Sequence, residues 1–358
     1  MAETILVIGA GITGAAIAHR LAGAGATVTV LDAGLPAGGA SGRSFGWINA
    51  NNYLTEEHFH LRVAAMEAFR AAAADMAPVS VDWCGAISWE EAGEALHRTA
   101  ATLGDLGYPL RILDRRAFAT LEPGVANPPE EAILYGAEGA VDLSALTERL
   151  LTAAAAHGAR LCIGTPVTGL HLTAGRVGGV ETAEGVIRAD RVVVAAGTGS
   201  ATLLASAGIA LPMLRRPGLL MRTRPVARAI RHILASPEQE LRQDAAGRIL
   251  APTSPAHQSD DATDIWDLPT SLAEATLGRL RRMLPGATLD WEQVTLAFRP
   301  VPGDGLPVVG ETSVEGLYAA VMHSGATLAP LIGQLVAREI AKGEVQPMLS
   351  PFRPARFR

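Results

Sequence analysis

The glycine pattern Gly9-Ala-Gly-Ile-Thr-Gly14 constrains the fold more than any other feature of this chain. It follows a short apolar run, Thr4 to Ile8, and opens an alanine-rich stretch with helical periodicity, about Ile12 to Ala24. A second apolar run, Ala26 to Leu31, comes next. A strand, a helix and a second strand within about 30 residues form a βαβ unit. The sequence therefore predicts an α/β fold with a parallel sheet.

The spacing of these glycines predicts that the unit binds a dinucleotide. Gly9 permits the tight turn, Gly11 lets a pyrophosphate approach the backbone, and Gly14 lets helix and strand pack closely. The N–H groups at the helix start then face the pyrophosphate. Asp32 ends the second strand, 18 residues after Gly14, where it can accept hydrogen bonds from a ribose diol. A glycine-rich turn in an unrelated α/β protein is the alternative, and the motif alone does not distinguish NAD from FAD.

Composition narrows the class of protein. The chain has 358 residues, of which 49% are hydrophobic and 18% charged, so it can bury a large core and about two domains are expected. The net charge is −6 and no Lys/Arg-rich run occurs, which argues against nucleic-acid binding. Cys84 and Cys162 have no metal-ligand spacing and form no disulfide framework, which favours the reducing cytoplasm. The sequence contains no uncharged run of about 18 apolar residues, so no membrane-spanning helix is predicted.

The rest of the chain shows further helices and strands. Three segments are predicted to be helical: Glu56 to Met76, Leu143 to His157, and about Thr327 to Ala341. Three consecutive strand-like segments predict an antiparallel meander: Pro166 to Leu172, Val177 to Thr182, and Gly185 to Ala195. The end of the third, Asp190 to Gly197, is too apolar for a half-exposed strand and fits one buried on both faces. Leu317 to Val321 is predicted to be a short strand.

Four markers follow the glycine motif and indicate a family. They are the small-residue loop Ser41 to Trp47, the apolar strand ending in Ala-Ala-Gly197, the stretch Arg299-Pro-Val-Pro-Gly-Asp-Gly-Leu-Pro-Val-Val-Gly310, and His323-Ser-Gly-Ala-Thr-Leu-Ala-Pro330. With these markers in this order, the chain resembles the glycine oxidase / D-amino acid oxidase (DAO) family of flavoproteins, which includes monomeric sarcosine oxidase. The closing Ser350-Pro-Phe-Arg-Pro-Ala-Arg-Phe also looks like a family ending. Counted from the first strand at Thr4, the markers span residues 4 to 353, so the resemblance covers the whole chain.

The resemblance implies FAD as cofactor and a two-domain fold. A Rossmann-like FAD-binding domain would be assembled from residues 1–50, 141–211 and 297–358. A discontinuous second domain, residues 51–140 and 212–296, would bind substrate and carry a mixed or antiparallel sheet. The residues expected to bind the cofactor are Gly9, Gly11, Ile12, Thr13, Gly14, Asp32, Ala33, Ser41, Gly42, Arg43, Ser44, Val167, Ala196, Gly197, Gly325, Ala326, Thr327 and Leu328.

The resemblance also implies oxidation of the C–N bond of a small amino acid, by hydride transfer from the α-carbon to flavin N5. Arg299 matches the family arginine that holds the substrate carboxylate, and a guanidinium can grip a carboxylate with two parallel hydrogen bonds. A structural salt bridge is the alternative. His323 begins the loop expected under the pyrimidine edge of the flavin, or it is a packed loop residue. Trp47 and Asn49 are expected to line the substrate cavity, with Trp47 as plain core the alternative.

Departures from the family limit what the resemblance implies. Several relatives bond FAD through a cysteine just upstream of the Arg299 motif, and here the segment is Thr295-Leu-Ala-Phe298. Other relatives use a histidine near Trp47, where this chain has Ile48. Non-covalent FAD is therefore expected. Lys342 is the sole lysine and belongs to the C-terminal helix, so the oxygen-activating lysine of sarcosine oxidase has no counterpart. Oxygen need not be the electron acceptor.

Other functions remain open at this stage. The same flavin site could oxidise a 2-hydroxy acid, which requires a base, and His58, His60 and His257 are the candidates. The chain could be the FAD-carrying subunit of a larger complex, active only with its partners. An NAD-dependent dehydrogenase would be colourless. The leading expectation is a cytoplasmic enzyme whose partner is a small carboxylate-bearing amine, with neither a nucleic-acid partner nor an integral membrane segment.

Overall fold

The computed structural model describes residues 3–254 and 261–357. Its strands are β1 (Thr4–Ile8), β2 (Thr27–Asp32), β3 (Trp47–Ile48), β4 (Ala86–Ser88), β5 (Arg111–Asp114), β6 (Glu131–Tyr135), β7 (Gly139–Ala140), β8 (Arg160–Ile163), β9 (Val167–Thr173), β10 (Arg176–Thr182), β11 (Gly185–Arg188), β12 (Arg191–Val194), β13 (Met213–Leu214), β14 (Pro217–Thr223), β15 (Ile233–Ala235), β16 (Glu240–Gln243), β17 (Ile249–Pro252), β18 (Trp291–Phe298), β19 (Val301–Pro302), β20 (Val308–Glu311) and β21 (Leu317–Val321). Its α-helices are α1 (Ile12–Gly23), α2 (Glu56–Ala71), α3 (Ala73–Met76), α4 (Glu94–Asp105), α5 (Arg115–Leu121), α6 (Leu143–Ala156), α7 (Ser200–Ala205), α8 (Pro269–Met283) and α9 (Gly325–Lys342).

The glycine motif joins two neighbouring strands of a six-stranded sheet with the order β20-β21-β12-β1-β2-β8. All neighbours run parallel except β20, which is antiparallel to β21. Alternate residues of β1 are buried on opposite faces. Ile5 and Val7 pack in the core that contains α1, α6 and α9, whereas Leu6 and Ile8 pack in the core that contains β9 and β10. A sheet covered on both faces explains why β1 is apolar throughout, and the predicted parallel α/β arrangement is confirmed.

The predicted meander is present but shorter than expected. Strands β9, β10 and β11 form a three-stranded antiparallel sheet, whereas β12 lies between β1 and β21 in the large sheet. The prediction of one strand from Gly185 to Ala195 was therefore wrong. Asp190 turns the chain between the two sheets: its N–H donates to Thr4 O at 3.0 Å, and its Oδ2 accepts from Thr4 N at 2.8 Å and Thr4 Oγ1 at 2.6 Å. These contacts place the following apolar residues beside β1.

The second large sheet has eight strands in the order β18-β14-β17-β16-β15-β4-β6-β5. Its neighbours are antiparallel except β15 and β4, so the expected mixed sheet is confirmed. Met221 packs with Leu277 of α8 on one face, whereas the adjacent Leu220 belongs to the core shared with α1 and α9. Strands from residues 86–135 and 217–298 build this sheet, and the domain boundaries drawn from the sequence stay a prediction.

Helix boundaries differ slightly from the sequence pattern. The predicted helix from Glu56 to Met76 is interrupted at Ala72, which separates α2 from α3. The Thr55 side chain caps α2 by accepting a hydrogen bond from His58 N at 3.2 Å. Helix α9 begins two residues earlier than predicted, at Gly325. None of the helices in residues 3–254 and 261–357 has the length and apolarity needed to cross a membrane.

Candidate active site

A cavity of about 810 Å³ lies between the two large sheets. The carboxyl ends of β1, β2, β12 and β21 form one side, and β14 and β18 form the other. Ligands of open α/β sheets bind at this end of the strands. The residues expected from the sequence that line the cavity are Gly9, Gly11, Ile12, Thr13, Asp32, Ala33, Ser41, Arg43, Ser44, Trp47, Asn49, Val167, Ala196, Gly197, Arg299, His323, Gly325 and Ala326.

Two of the motif glycines allow a backbone approach that no other residue permits. Gly9 has φ +113°, and a Cβ there would lie 2.4 Å from Ala195 O. A Cβ on Gly14 would lie 1.9 Å from Gly9 O. Helix α1 therefore starts directly against the end of β1, and its first residues face the cavity. A pyrophosphate can approach this backbone because no side chain covers it.

Asp32 does more than the sequence predicted. Its Oδ2 accepts from the buried Ala10 N at 2.6 Å, and its Oδ1 accepts from Gly34 N at 2.8 Å. The carboxylate thus fixes the glycine turn from the end of β2 and also lines the cavity. A carboxylate has about four lone-pair sites, so two remain for a ribose diol. No other carboxylate lines the cavity among the described residues.

The loop from Gly38 to Ser44 closes over the start of α1. Ser41 Oγ accepts a hydrogen bond from Ile12 N at 3.0 Å. Arg43 Nη1 donates to the carbonyl oxygens of Gly38 and Gly39, the latter at 3.0 Å. The loop is therefore tied to the nucleotide-binding turn and is folded back on itself, which keeps its small residues against the cavity.

Four residues expected to bind the cofactor do not line the cavity. Gly14 is packed under the turn, and a Cβ on Gly42 would meet Ala37 O at 2.5 Å, so both serve close backbone packing. Thr327 is fully buried, where its Oγ1 accepts from Asn49 N at 3.3 Å and donates to Trp47 O at 3.4 Å. Leu328 is fully buried in the core beside α1. Since a helix turns about 100° per residue, only Gly325 and Ala326 of α9 face the cavity.

The residues expected to meet substrate line the same cavity. Trp47 is buried and its Nε1 donates to Glu138 Oε2 at 2.8 Å. Arg299 follows β18, and its Nη2 donates to Pro217 O at 3.4 Å. His323 Nδ1 lies 3.2 Å from Ser324 Oγ. Apolar side chains also line the cavity: Phe45, Leu220, Leu296 and Phe298.

The sequence reasoning missed Arg62. It lies in α2, is 2% exposed and lines the cavity. Burial lowers its pKa to about 10, so the guanidinium is protonated at neutral pH. A signal was available, because Arg62 falls at helical spacing between Phe59, Met66 and Phe69 on the apolar face of α2. A lone arginine on a buried helix face requires polar partners inside the protein.

Glu138, which the sequence reasoning also missed, is fully buried behind the cavity wall. It accepts hydrogen bonds from Trp47 Nε1 and, at 2.7 Å, from Tyr108 OH. Burial raises the pKa of this carboxyl to about 8, because its hydrogen bonds do not fully replace hydration. Tyr108 OH also accepts from Ala50 N at 3.2 Å, so the network fixes the segment that follows β3.

Two of the three candidate bases, His58 and His60, do not line the cavity. His58 is buried, and burial together with the charge of Arg62 lowers its pKa to about 3. His60 is exposed, with its Nε2 3.4 Å from Glu56 Oε1. Neither residue lines the cavity, and His257 lies outside the described residues. His323 is the one histidine that lines the cavity in the described parts of the chain.

The parallel sheet, the glycine turn, Asp32 and the long cavity together define a dinucleotide-binding oxidoreductase fold. The family can be stated more closely. The profile of the DAO family, described as FAD dependent oxidoreductase, matches residues 4–339, so this chain belongs to that family. The resemblance seen in the sequence is confirmed, and FAD is the expected cofactor.

Individual relatives are distant. The chain is similar to the bifunctional protein ThiO/ThiG of Nostoc sp., with 26% identity over 381 residues that cover 99% of this chain and 55% of that protein. A D-amino acid dehydrogenase of Rhizobium johnstonii is 29% identical over 252 residues, 68% of this chain and 60% of that protein. The chain thus spans little more than half the length of these curated relatives.

Solved structures share the fold. Glycine oxidase from Geobacillus kaustophilus superposes with a TM-score of 0.88 at 23% identity, over 99% of each chain. L-proline dehydrogenase from P. horikoshii superposes with a TM-score of 0.86 at 22% identity, over 99% of this chain and 98% of that one. At these identities the likeness shows the fold alone.

The residues present fit FAD. The glycine turn offers uncovered backbone where a pyrophosphate would lie, and Asp32 retains acceptor sites beside it. Arg299 and His323 line the same cavity, whose volume of about 810 Å³ leaves room for a second ring system besides the nucleotide.

Proposed function

We propose that the protein oxidises the C–N bond of a small amino acid and that it holds FAD without a covalent bond. One observation carries the proposal: Arg62 and Arg299 both line the cavity, and Asp32 is the one carboxylate that does so among the described residues. A cavity with this charge suits a substrate that carries a carboxylate. The name of one relative, D-amino acid dehydrogenase, supports the same class.

Arg299 is the residue assigned to the substrate carboxylate. It directly follows β18, and its N–H donates to Arg216 O at 2.8 Å while its Nη2 donates to Pro217 O. The backbone bond fixes residue 299 beside the start of β14, and the Nη2 bond holds the guanidinium at the cavity wall. A planar guanidinium held in this way can form a bidentate pair that sets the α-carbon relative to the cofactor.

The cavity favours an amine over a 2-hydroxy acid. An alcohol must lose its proton to a base, whereas an amine that binds in its free form does not. Among the described residues, the lining provides one carboxylate, Asp32, which already accepts from Ala10 N and Gly34 N, and one histidine, His323. When bound, FAD would supply the acceptor for the hydride that leaves the α-carbon. The chain's own residues orient the substrate, and Phe45 and Leu220 exclude water from it.

The positions of the sulfur atoms support non-covalent attachment. Thr295 to Phe298 form the end of β18, where relatives carry a cysteine. Cys84 and Cys162, the two cysteines of the chain, lie outside the cavity lining. Burial raises the pKa of the Cys84 thiol to about 11, which keeps it unreactive at neutral pH. Ile48, at the other position where relatives attach FAD, is fully buried and aliphatic.

The test compares an amino acid with the amine obtained by removing its carboxylate, on wild type, Arg299→Ala and Arg299→Lys. For the acid, Arg299→Ala should lower kcat/KM by a factor that corresponds to about 2–5 kcal/mol of lost transition-state stabilisation, because a shielded ion pair is lost. Lysine should not restore it, because a point charge cannot form the fork. The decarboxylated amine should be a poor substrate and little affected.

The matched control is Arg216→Ala, since Arg216 is close in sequence to β14 but does not line the cavity. It should leave kcat/KM for the acid near the wild-type value, and FAD content should be normal in every variant. Equal losses for the acid and the amine would mean that Arg299 is structural. Anaerobic mixing with amines and hydroxy acids provides the second test, since bleaching of the flavin by hydroxy acids alone would contradict the proposal.

A further inference from the structure

Arg62 connects two segments that are remote in sequence and meet at the cavity. Its Nε donates to Asn49 O at 3.1 Å, and its Nη2 donates to Asn49 Oδ1. Its Nη1 donates to Ser324 Oγ at 2.8 Å. Arg62, Asn49 and Ser324 all line the cavity. One buried guanidinium therefore holds the segment after β3 and the segment before α9 in a fixed relation.

Both of these segments depend on such support. Ser324 precedes α9 in the left-handed conformation, with φ 60° and ψ 27°, which costs free energy for a residue with a Cβ. Asn49 N donates to Thr327 Oγ1, so Asn49 is attached to α9 from its backbone as well. Arg62 completes this arrangement from α2, and the start of α9, with its positive helix end, is thereby fixed toward the cavity.

The charge of Arg62 is not neutralised by a close partner. No carboxylate lies within ion-pair distance of its guanidinium among the described residues. The titratable groups that face it are His58, Glu138 and Tyr108. His58 is uncharged because its pKa is lowered to about 3, and Glu138 is largely protonated at pH 7 because its pKa is raised to about 8. A positive charge in a poorly hydrated wall acts strongly on its neighbours.

We propose that Arg62 is a positioning residue that fixes Asn49 and Ser324 against the flavin and supplies a buried positive charge that favours its reduced form. Reduced flavin carries negative charge, so a cation at the cavity wall raises the affinity for the reduced cofactor over the oxidised one. The inference rests on FAD as cofactor and not on the identity of the substrate. Arginine is suited to both tasks, because its fork holds two segments and its charge persists at a pKa of about 10.

The test uses holoenzyme variants Arg62→Met and Arg62→Lys and measures the midpoint potential of bound FAD by redox titration against reference dyes. In Arg62→Met the preference for reduced over oxidised FAD should fall at least tenfold, which lowers the midpoint potential by about 30 mV for a two-electron couple. Arg62→Lys keeps the charge, so its preference should stay within twofold of wild type. Its kcat should still fall several-fold, because the fork is lost.

The matched control is Arg70→Met, two turns further along α2. Arg70 is exposed, donates to Ala137 O at 2.7 Å and stacks on the Trp83 ring, but it does not line the cavity. Its midpoint potential should equal that of wild type. An unchanged potential in Arg62→Met, or an equal drop in Arg70→Met, would overturn the proposal. If Arg62→Met does not fold, Arg62→Lys provides the test. A tenfold fall in its preference for reduced over oxidised FAD would show that the charge of residue 62 does not set the potential, and would overturn the proposal.

The titration contains no substrate, so its outcome is independent of the amino-acid assignment. A normal potential in Arg62→Met with a selective loss of acid turnover in Arg299→Ala would reject the role of Arg62 and keep the proposed function. The reverse pair of results would keep Arg62 and reject the function.

Discussion

Replacing Asp32 with alanine tests the nucleotide site, and the structure shows that two effects must be separated. The first is on stability. Without the carboxylate, the buried Ala10 N–H has no acceptor, whereas the exposed Gly34 N–H can bind water. The loss is about 1–3 kcal/mol for the buried donor and at most about 1 kcal/mol for the exposed one, so the free energy of unfolding of the apoprotein should fall by about 1–4 kcal/mol. Urea unfolding of the wild-type and Asp32→Ala apoproteins measures this difference in the free energy of unfolding.

The second effect is on the ribose. If the remaining lone pairs of Asp32 accept from the ribose diol, the 2′-hydroxyl of a bound nucleotide contributes about 1.5–3 kcal/mol. Wild-type apoprotein should therefore bind ADP at least about tenfold more tightly than 2′-deoxy-ADP. The Asp32→Ala apoprotein should bind both nucleotides with nearly equal affinity. Isothermal titration calorimetry with the two nucleotides on both proteins gives the coupling between the carboxylate and the hydroxyl.

Ser41→Ala is the control for this experiment. Ser41 Oγ accepts from Ile12 N at 3.0 Å, so its loss loosens the same turn without touching the carboxylate. This variant should bind ADP more weakly but should still discriminate against the deoxy nucleotide. Asp32 is not the ribose ligand if Asp32→Ala retains the wild-type discrimination, whatever its stability.

Three further predictions concern the cofactor and the buried network. Acid precipitation should release FAD into the supernatant, because both cysteines lie away from the cavity, and flavin that stays with the pellet would contradict non-covalent attachment. Reduced enzyme should react slowly with oxygen and faster with a quinone or dye, because Lys342 is exposed at the end of α9 rather than at the cavity. Stopped-flow absorbance measures the reoxidation of the flavin, and rapid reoxidation in air-saturated buffer would refute this prediction. Glu138 has a folded pKa raised from 4.5 to about 8, so its contribution to stability is present at low pH and is lost as the pH rises toward 8. Between pH 6 and 8.5, the free energy of unfolding of wild type, measured with urea, should fall by on the order of 2 kcal/mol more than that of Glu138→Gln. Parallel pH profiles of the two proteins would show that Glu138 is ionised throughout this range.

The sequence by itself determined the local architecture of the nucleotide site. The βαβ unit from β1 to β2, the positions of Gly9 and Gly14, and Asp32 at the end of β2 all follow from short-range steric rules and hydrophobic periodicity. Strand β21 was predicted with the bounds that the structure shows, because a short run of buried apolar residues has few alternatives. Patterns of this kind depend on residues that are close together in the sequence.

Tertiary structure decided what depends on distant partners. The division between β11 and β12 arises because Asp190 bonds to Thr4, 186 residues away, and no local pattern contains that contact. The second role of Asp32, as acceptor for Ala10, likewise requires the turn and the strand to be in place. A periodic pattern shows that Arg62 lies on a buried face, but it cannot show that Asn49 and Ser324 meet there. Which residues of α9 face the cavity was set by packing against α1, because burial selects one side of a helix only once its neighbour is present.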